Sequence, residues 1–141
     1  MGSFTTYLAD ALLDHVFGSG EGQTLSYTQP AKWIALCTVA VTDSATGTTI
    51  TEPNEAGRYG YARVQMNTWD VASAGATENT NDILFAQATG DWGTILDFAI
   101  CDAEAVNTGN VLAYGSLTVS KSVQSGDTPK FATEDLDITL T

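Results

Sequence analysis

The chain has 141 residues, of which 43% are hydrophobic, and carries a formal net charge of −12 with only five lysines and arginines. This length and apolar content suit one compact domain. The five basic residues are scattered, which argues against nucleic-acid and membrane-surface binding, since both need clustered positive charge. There is neither an apolar run of the roughly 20 residues that span a bilayer nor a signal-peptide pattern, so we expect synthesis in a cytoplasm.

The first predicted element is an amphipathic helix over residues 1–18. Ser3 or Thr5 can cap its start, and Gly18 can end it. A helix of this length is marginal alone and needs a packing partner, either the body of the domain or another subunit. The predicted interface is an apolar stripe at helical spacing, formed by Phe4, Leu8, Leu12 and Val16.

The glycine- and serine-rich residues 19–30 predict a flexible connector, and residues 31–141 predict a β-domain. Short apolar or alternating runs are separated by turn-rich loops, and no βαβ alternation is present. We therefore expect a mainly β fold, an antiparallel sandwich or barrel, and predict a jelly-roll-like β-sandwich. In residues 61–67 the alternation predicts Ala62, Val64 and Met66 facing inward and Arg63 facing outward.

The stretch GDWGTILDFAICDA, residues 90–103, offers carboxylates beside a strand pattern. We expect Leu96, Phe98 and Ile100 to form its inward face, with Asp97 opposite them. The two flanking carboxylates are typical of turns, where they bind nearby backbone N–H groups. Nothing in their spacing makes the acids converge as a catalytic pair would, so we predict no catalytic residues.

Two cysteines, Cys37 and Cys101, lie in apolar runs and are predicted to be reduced, buried thiols. A disulfide formed after release from the cell is the alternative, and it requires neighbouring strands. His15 is the only histidine, and no calcium-loop or phosphate-loop spacing is present, so we predict no metal and no cofactor. Long polar loops at residues 42–60 and 73–81 make Tyr59 and Trp69 the candidate ligand-binding residues.

Several segments, in order, resemble small virion proteins of tailed bacteriophages, of the tail-fibre-like or head-decoration-like kind. They are SFTTYLADALLDHVFG (3–18), YTQP (27–30), GYARV (60–64), TGDWGT (89–94), GNVLAYGSL (109–117), SGDTPKF (125–131) and DLDITL (135–140). The resemblance spans nearly the whole chain and implies a non-enzymatic, multimeric virion role without catalytic residues.

The leading hypothesis is therefore a structural virion protein, an exterior accessory of the capsid or of the tail or collar, made in the bacterial host cytoplasm. Its partners would be other virion proteins and further copies of itself, with a trimer as one form, and the helix over residues 1–18 would be the attachment arm. A receptor- or carbohydrate-binding module of a tail fibre is the alternative, and a small hydrolase is a third hypothesis.

Overall fold

The structure is a computed structural model that describes residues 2–17, 29–53 and 58–140. Besides one 3-10 turn (Arg58–Gly60), one α-helix and nine strands make up its regular elements, which confirms a mainly β fold with a single N-terminal α-helix in this part of the chain. In chain order they are β1 (Gly2–Phe4), α1 (Thr6–Phe17), β2 (Trp33–Cys37), β3 (Val64–Gln65), β4 (Ala76–Glu78), β5 (Ile83–Leu84), β6 (Gly93–Cys101), β7 (Val111–Val123), β8 (Lys130–Phe131) and β9 (Asp137–Thr139).

Seven strands form one sheet in the order β3-β2-β6-β7-β1-β9-β4, and β5 pairs with β8 in a second, small sheet. The five strands from β3 to β1 are antiparallel, as predicted. Strand β9 joins them through one parallel pairing, Gly2 opposite Ile138, and pairs antiparallel with β4. The small sheet lies against the large one, because Phe131 of β8 contacts Phe98 of β6 with ring centroids 6.0 Å apart.

The two edges of the large sheet meet in one segment, residues 64–70. At its start the Met66 N–H donates to the Lys32 carbonyl (2.8 Å), and at its end the Asp70 N–H donates to the Glu78 carbonyl (2.9 Å). An antiparallel bridge between Trp69 and Asn79 lies beside this second bond. The sheet therefore closes on itself, which covers edges that would otherwise leave backbone groups open to another chain.

Two apolar clusters lie on opposite faces of the central strands. The larger lies inside the closed sheet and includes Ile34, Leu36, Phe98, Ile100, Ala113 and Ile138. The smaller lies on the outside and contains Ala35, Cys37, Ile50, Ala99, Cys101 and Val111. Alternation along β2 and β6 explains the division, since successive side chains point to opposite faces.

Strand β6 departs from the predicted pattern at Leu96. Ile95 pairs with Lys121 but Asp97 pairs with Ser116, so the register shifts at Leu96. This bulge reverses the alternation: Ile95 is buried and Leu96 is 38% exposed. The predicted inward position of Leu96 is therefore wrong, whereas Phe98 and Ile100 are inward as expected.

The N-terminus also differs from the prediction, because residues 2–4 form strand β1 rather than the first turn of the helix. Thr5 is the cap: its Oγ1 accepts from the Leu8 N–H at 3.4 Å and donates to the Val111 carbonyl of β7. The helix ends at Phe17. Gly18 and most of the predicted connector, residues 18–28, lie outside the described residues, so the division at 18 and 30 stays a prediction.

Candidate functional site

The three aspartates of residues 90–103 have different roles in the fold. Asp91 Oδ1 accepts from the Gly93 N–H at 2.7 Å. Asp102 accepts from the backbone N–H and side-chain amide of Asn110 at 2.7 and 2.9 Å. These contacts confirm the turn interpretation of both. Asp97 lies on the face opposite Phe98, as expected, but is only 3% exposed and accepts from the Val41 N–H at 2.7 Å.

Both cysteines are buried free thiols, as predicted. On the paired strands β2 and β6, Cys37 lies opposite Asp97 and Cys101 lies opposite Trp33. Their Cα atoms are thus offset by about 13 Å along the strands, whereas a disulfide needs Cα atoms within about 7 Å. The disulfide alternative therefore does not fit this register. Burial raises the pKa of Cys101 to about 12 and that of Cys37 beyond its usual range, so neither is a reactive thiolate.

The two candidate ligand-binding aromatics contact different parts of the fold. The Tyr59 carbonyl accepts from the Thr89 N–H (3.0 Å) and from Trp92 Nε1 (2.9 Å), and its ring stands so close to Gly90 that a Cβ there would lie 2.3 Å from it. Trp69 is half-buried against the inner cluster and donates from Nε1 to the Met66 carbonyl at 3.0 Å. Both residues have packing contacts, and a role of Tyr59 and Trp69 in ligand binding stays a prediction.

The most heavily bonded polar cluster is one that the sequence did not reveal. Arg63, predicted to face outward, is buried and forms a two-pronged ion pair with Glu52, from Nη2 to Oε2 at 2.8 Å and from Nε to Oε1 at 3.0 Å. Its guanidinium also donates to three carbonyls, those of Gly47 (3.2 Å), Ala103 (2.8 Å) and Thr108 (3.1 Å). The outward prediction is wrong because this complete set of partners compensates burial of the charge.

Tyr61 completes this cluster. Its hydroxyl donates to Glu52 Oε1 at 2.8 Å and accepts from the Leu36 N–H of β2 at 3.0 Å. Burial, together with the Glu52 carboxylate, raises the pKa of Tyr61 well above its usual range. The cluster ties the long loop of residues 42–60 to β2 and to the turn before β7, so the described part of this loop is anchored to the core. We assign it a structural role.

The remaining candidate features of the described residues are metal-binding groups, membrane-spanning helices and cavities. Within residues 2–17, 29–53 and 58–140, no group of three or more His, Cys, Asp or Glu side chains is arranged to hold a metal ion. No described helix is long and apolar enough to cross a membrane. An apolar cavity of about 270 Å³ lies between α1 and the sheet, lined in part by Phe4, Leu8, Trp69 and Ile138.

The strongest candidate site is the outside of α1. The structure divides the predicted stripe: Phe4 and Leu8 pack against the inner cluster, Leu12 is half-buried, and Val16 is exposed. The side chains on the solvent side are Tyr7, Leu13, Val16 and Phe17, with the exposed Asp10 and Asp14 among them; we call these six residues the outer helix face. Leu13 and Phe17 were missed because they fall outside the four-residue spacing of the stripe.

The outer helix face is held in a fixed place. The N–H groups of Thr5 and Thr6 donate to the carbonyls of Leu112 (3.0 Å) and Asp43 (2.9 Å), and β1 pairs with β7. None of the helical residues is fully buried, so the helix lies on the sheet with its apolar outside uncovered. Phe17, with 76% of its surface exposed, shows that the described part of the chain leaves that face unpacked.

Comparison with known proteins identifies one family. Residues 3–139 match the family model described as Podophage GP4 fiber I protein gp80. No match is found among curated proteins. The match covers nearly the whole chain and agrees with the earlier resemblance to small tailed-phage virion proteins.

Proposed function

Because the chain belongs to the family of podophage GP4 fiber I protein gp80, we propose that it is a non-enzymatic fibre subunit on the outside of the virion, present in several copies. We place it on the tail or collar rather than among head-decoration proteins, and the support for this part of the proposal is the word fiber in the family description. Other virion proteins are its partners in this proposal, which also implies synthesis in the host cytoplasm and transfer to the particle.

The observation that carries the proposal is the outer helix face. It presents four large apolar side chains on a helix whose other side is anchored by β1 and the Thr5 cap. Grouped apolar residues on a soluble protein are typical of sites that bind another protein. The predicted interface is thereby extended from Val16 to Leu13 and Phe17, while Phe4 and Leu8 support the helix from below.

The alternative of a carbohydrate-binding module has weaker support. Sugar binding needs an aromatic ring whose face is available, but Trp69 is packed against the inner cluster. The ring of Tyr59 lies against Gly90 on one side, and the residue is 37% exposed. Because both rings make packing contacts within the chain, they support a sugar-binding module less than the outer helix face supports a structural subunit.

Particle incorporation tests the proposal. Phage lacking this gene would be grown in hosts supplying either the natural chain or the Leu13→Asp/Phe17→Asp variant, and its amount per purified particle would be measured by quantitative mass spectrometry. We expect a loss of about tenfold or more, because losing large apolar contacts at an interface costs on the order of 2 kcal/mol. Val71→Asp is the matched control, since Val71 is 94% exposed but lies outside α1.

Normal incorporation of the folded Leu13→Asp/Phe17→Asp protein would contradict attachment through α1. Circular dichroism and thermal unfolding of the purified variants would show whether they are folded. Loss with both this variant and Val71→Asp would also count against the proposal, because any exposed aspartate would then have the same effect.

A further inference from the structure

We infer that the outer helix face docks on an apolar surface bordered by lysine or arginine side chains of another virion protein, and not on the same face of a second copy. This inference rests on the proposed function and specifies the chemistry of the partner. It follows from the charges that accompany the apolar side chains on this face.

The apolar side chains of the outer helix face are interspersed only with negative charge. Asp10 and Asp14 are both exposed and lie four residues apart on α1, so their carboxylates are neighbours on the helix surface. Like charges at this spacing destabilise a helix by a few tenths of a kcal/mol. Neither carboxylate forms a hydrogen bond or ion pair with the sheet in the described part of the chain, and the helix contains no lysine or arginine to balance them.

If two copies docked through their outer helix faces, four aspartates would be brought together, two from each chain. Each copy also carries a formal net charge of −12, and like charges placed against each other at an interface oppose association. Two of the five basic residues are already paired within the chain, Arg63 with Glu52 and Lys130 with Asp82 at 3.0 Å. Further copies can still associate through other surfaces.

A partner with apolar residues flanked by positive charge matches both properties of the face. Leu13, Val16 and Phe17 would enter its apolar centre, and Asp10 and Asp14 would meet lysines or arginines at the border. Such complementary charges chiefly raise association rates and exclude wrong partners. Salt weakens them, because the Debye length falls from about 10 Å at 0.1 M to about 3 Å at 1 M.

The test uses purified full-length protein and purified phage particles that lack it, with bound protein per particle measured at 50 and 500 mM NaCl. We expect Asp10→Lys/Asp14→Lys to reduce binding at 50 mM about tenfold or more, and the natural chain to bind more weakly at 500 mM. Asp10→Asn/Asp14→Asn should bind with little salt dependence. Glu104→Lys, at an exposed acidic residue outside α1, should bind as the natural chain does.

The possible results separate this inference from the proposed function. If Leu13→Asp/Phe17→Asp abolishes binding while Asp10→Lys/Asp14→Lys binds normally, attachment through α1 stands and the basic partner is wrong. If both bind normally, both are wrong. Sedimentation of the purified protein provides the remaining check: self-association that Leu13→Asp/Phe17→Asp removes would identify a second copy as the occupant and overturn the inference.

Discussion

Apolar side chains are packed at the centre of the sheet but exposed on the outside of helix α1. Around β2, β6 and β7, apolar side chains are packed on both faces, and the buried Arg63 donates to a carboxylate and three carbonyls. On α1, large apolar side chains face solvent. The groups at the centre therefore find their packing and hydrogen-bond partners within this chain, whereas the outer helix face presents apolar side chains that a partner could cover. Substitutions in the two regions should separate stability from attachment.

The largest effect on stability is expected at the buried ion pair. Arg63→Met should lower the free energy of unfolding by about 3–5 kcal/mol, because it leaves the Glu52 carboxylate buried without its counter-charge. Chemical denaturation followed by tryptophan fluorescence would measure the loss. Adding Glu52→Gln to Arg63→Met should recover part of it, since the uncompensated charge is then removed. A double variant less stable than Arg63→Met would contradict this account.

The buried thiols provide the next largest effect, as a dependence on pH. Folding raises the pKa of Cys37 and Cys101, so both stay protonated in the folded chain while the unfolded chain ionises near pH 8.5. Their contribution is complete below that pH and falls as the pH rises toward the folded pKa values. Between pH 8.5 and 9.5 we expect a loss of about 2 kcal/mol for the pair.

Denaturation under reducing conditions at several pH values would measure this slope. The Cys37→Ala/Cys101→Ala variant is the control: its stability at pH 7 can differ, but its slope between pH 8.5 and 9.5 should be much smaller. An equally steep fall in this variant would show that the alkaline sensitivity arises elsewhere.

These two regions also show what could be predicted from the sequence. Alternation and turn residues were sufficient for an antiparallel fold, for the buried thiols and for the inward Phe98 and Ile100, because these depend on local pattern. The Leu96 bulge was not predictable, since the register that creates it is set by pairing with β7. Arg63 was misplaced for a related reason: its burial depends on Glu52, which reaches it from a separate loop.

The helix was predicted as an element but only partly as a site. The sequence left the cap open between Ser3 and Thr5 and placed Leu8 on the predicted interface; Thr5 is the cap, and Leu8 packs against the inner cluster. Strand β1 has only three residues, too few to show a pattern. Exposure of Leu13 and Phe17 could not be inferred, because apolar residues on a short helix are equally consistent with burial against the domain. The docked position of α1 decides which side stays open.

A smaller effect is expected at the junction between the two regions, Thr5. Thr5→Ala removes the cap of α1 and the hydrogen bond to the Val111 carbonyl, which should cost about 1 kcal/mol in unfolding free energy. Thr6→Ala is the matched control, because the neighbouring Thr6 side chain is exposed. Hydrogen exchange should also quicken in α1 more than in β6 if the cap holds the helix on the sheet. Equal stability of the two variants would show that β1 alone anchors it.

The smallest effect on stability is expected where the effect on attachment is largest. Phe17→Ser should change the unfolding free energy by no more than about 0.5 kcal/mol, because the ring is 76% exposed and exposed substitutions rarely do more. The same variant should nevertheless reduce incorporation into particles, since the side chain lies at the end of the outer helix face. Thermal unfolding and particle composition, measured on one preparation, would test both expectations. A clear loss of stability would show that Phe17 supports the fold. That result would contradict the distinction between a packed sheet centre and an outer helix face that serves attachment.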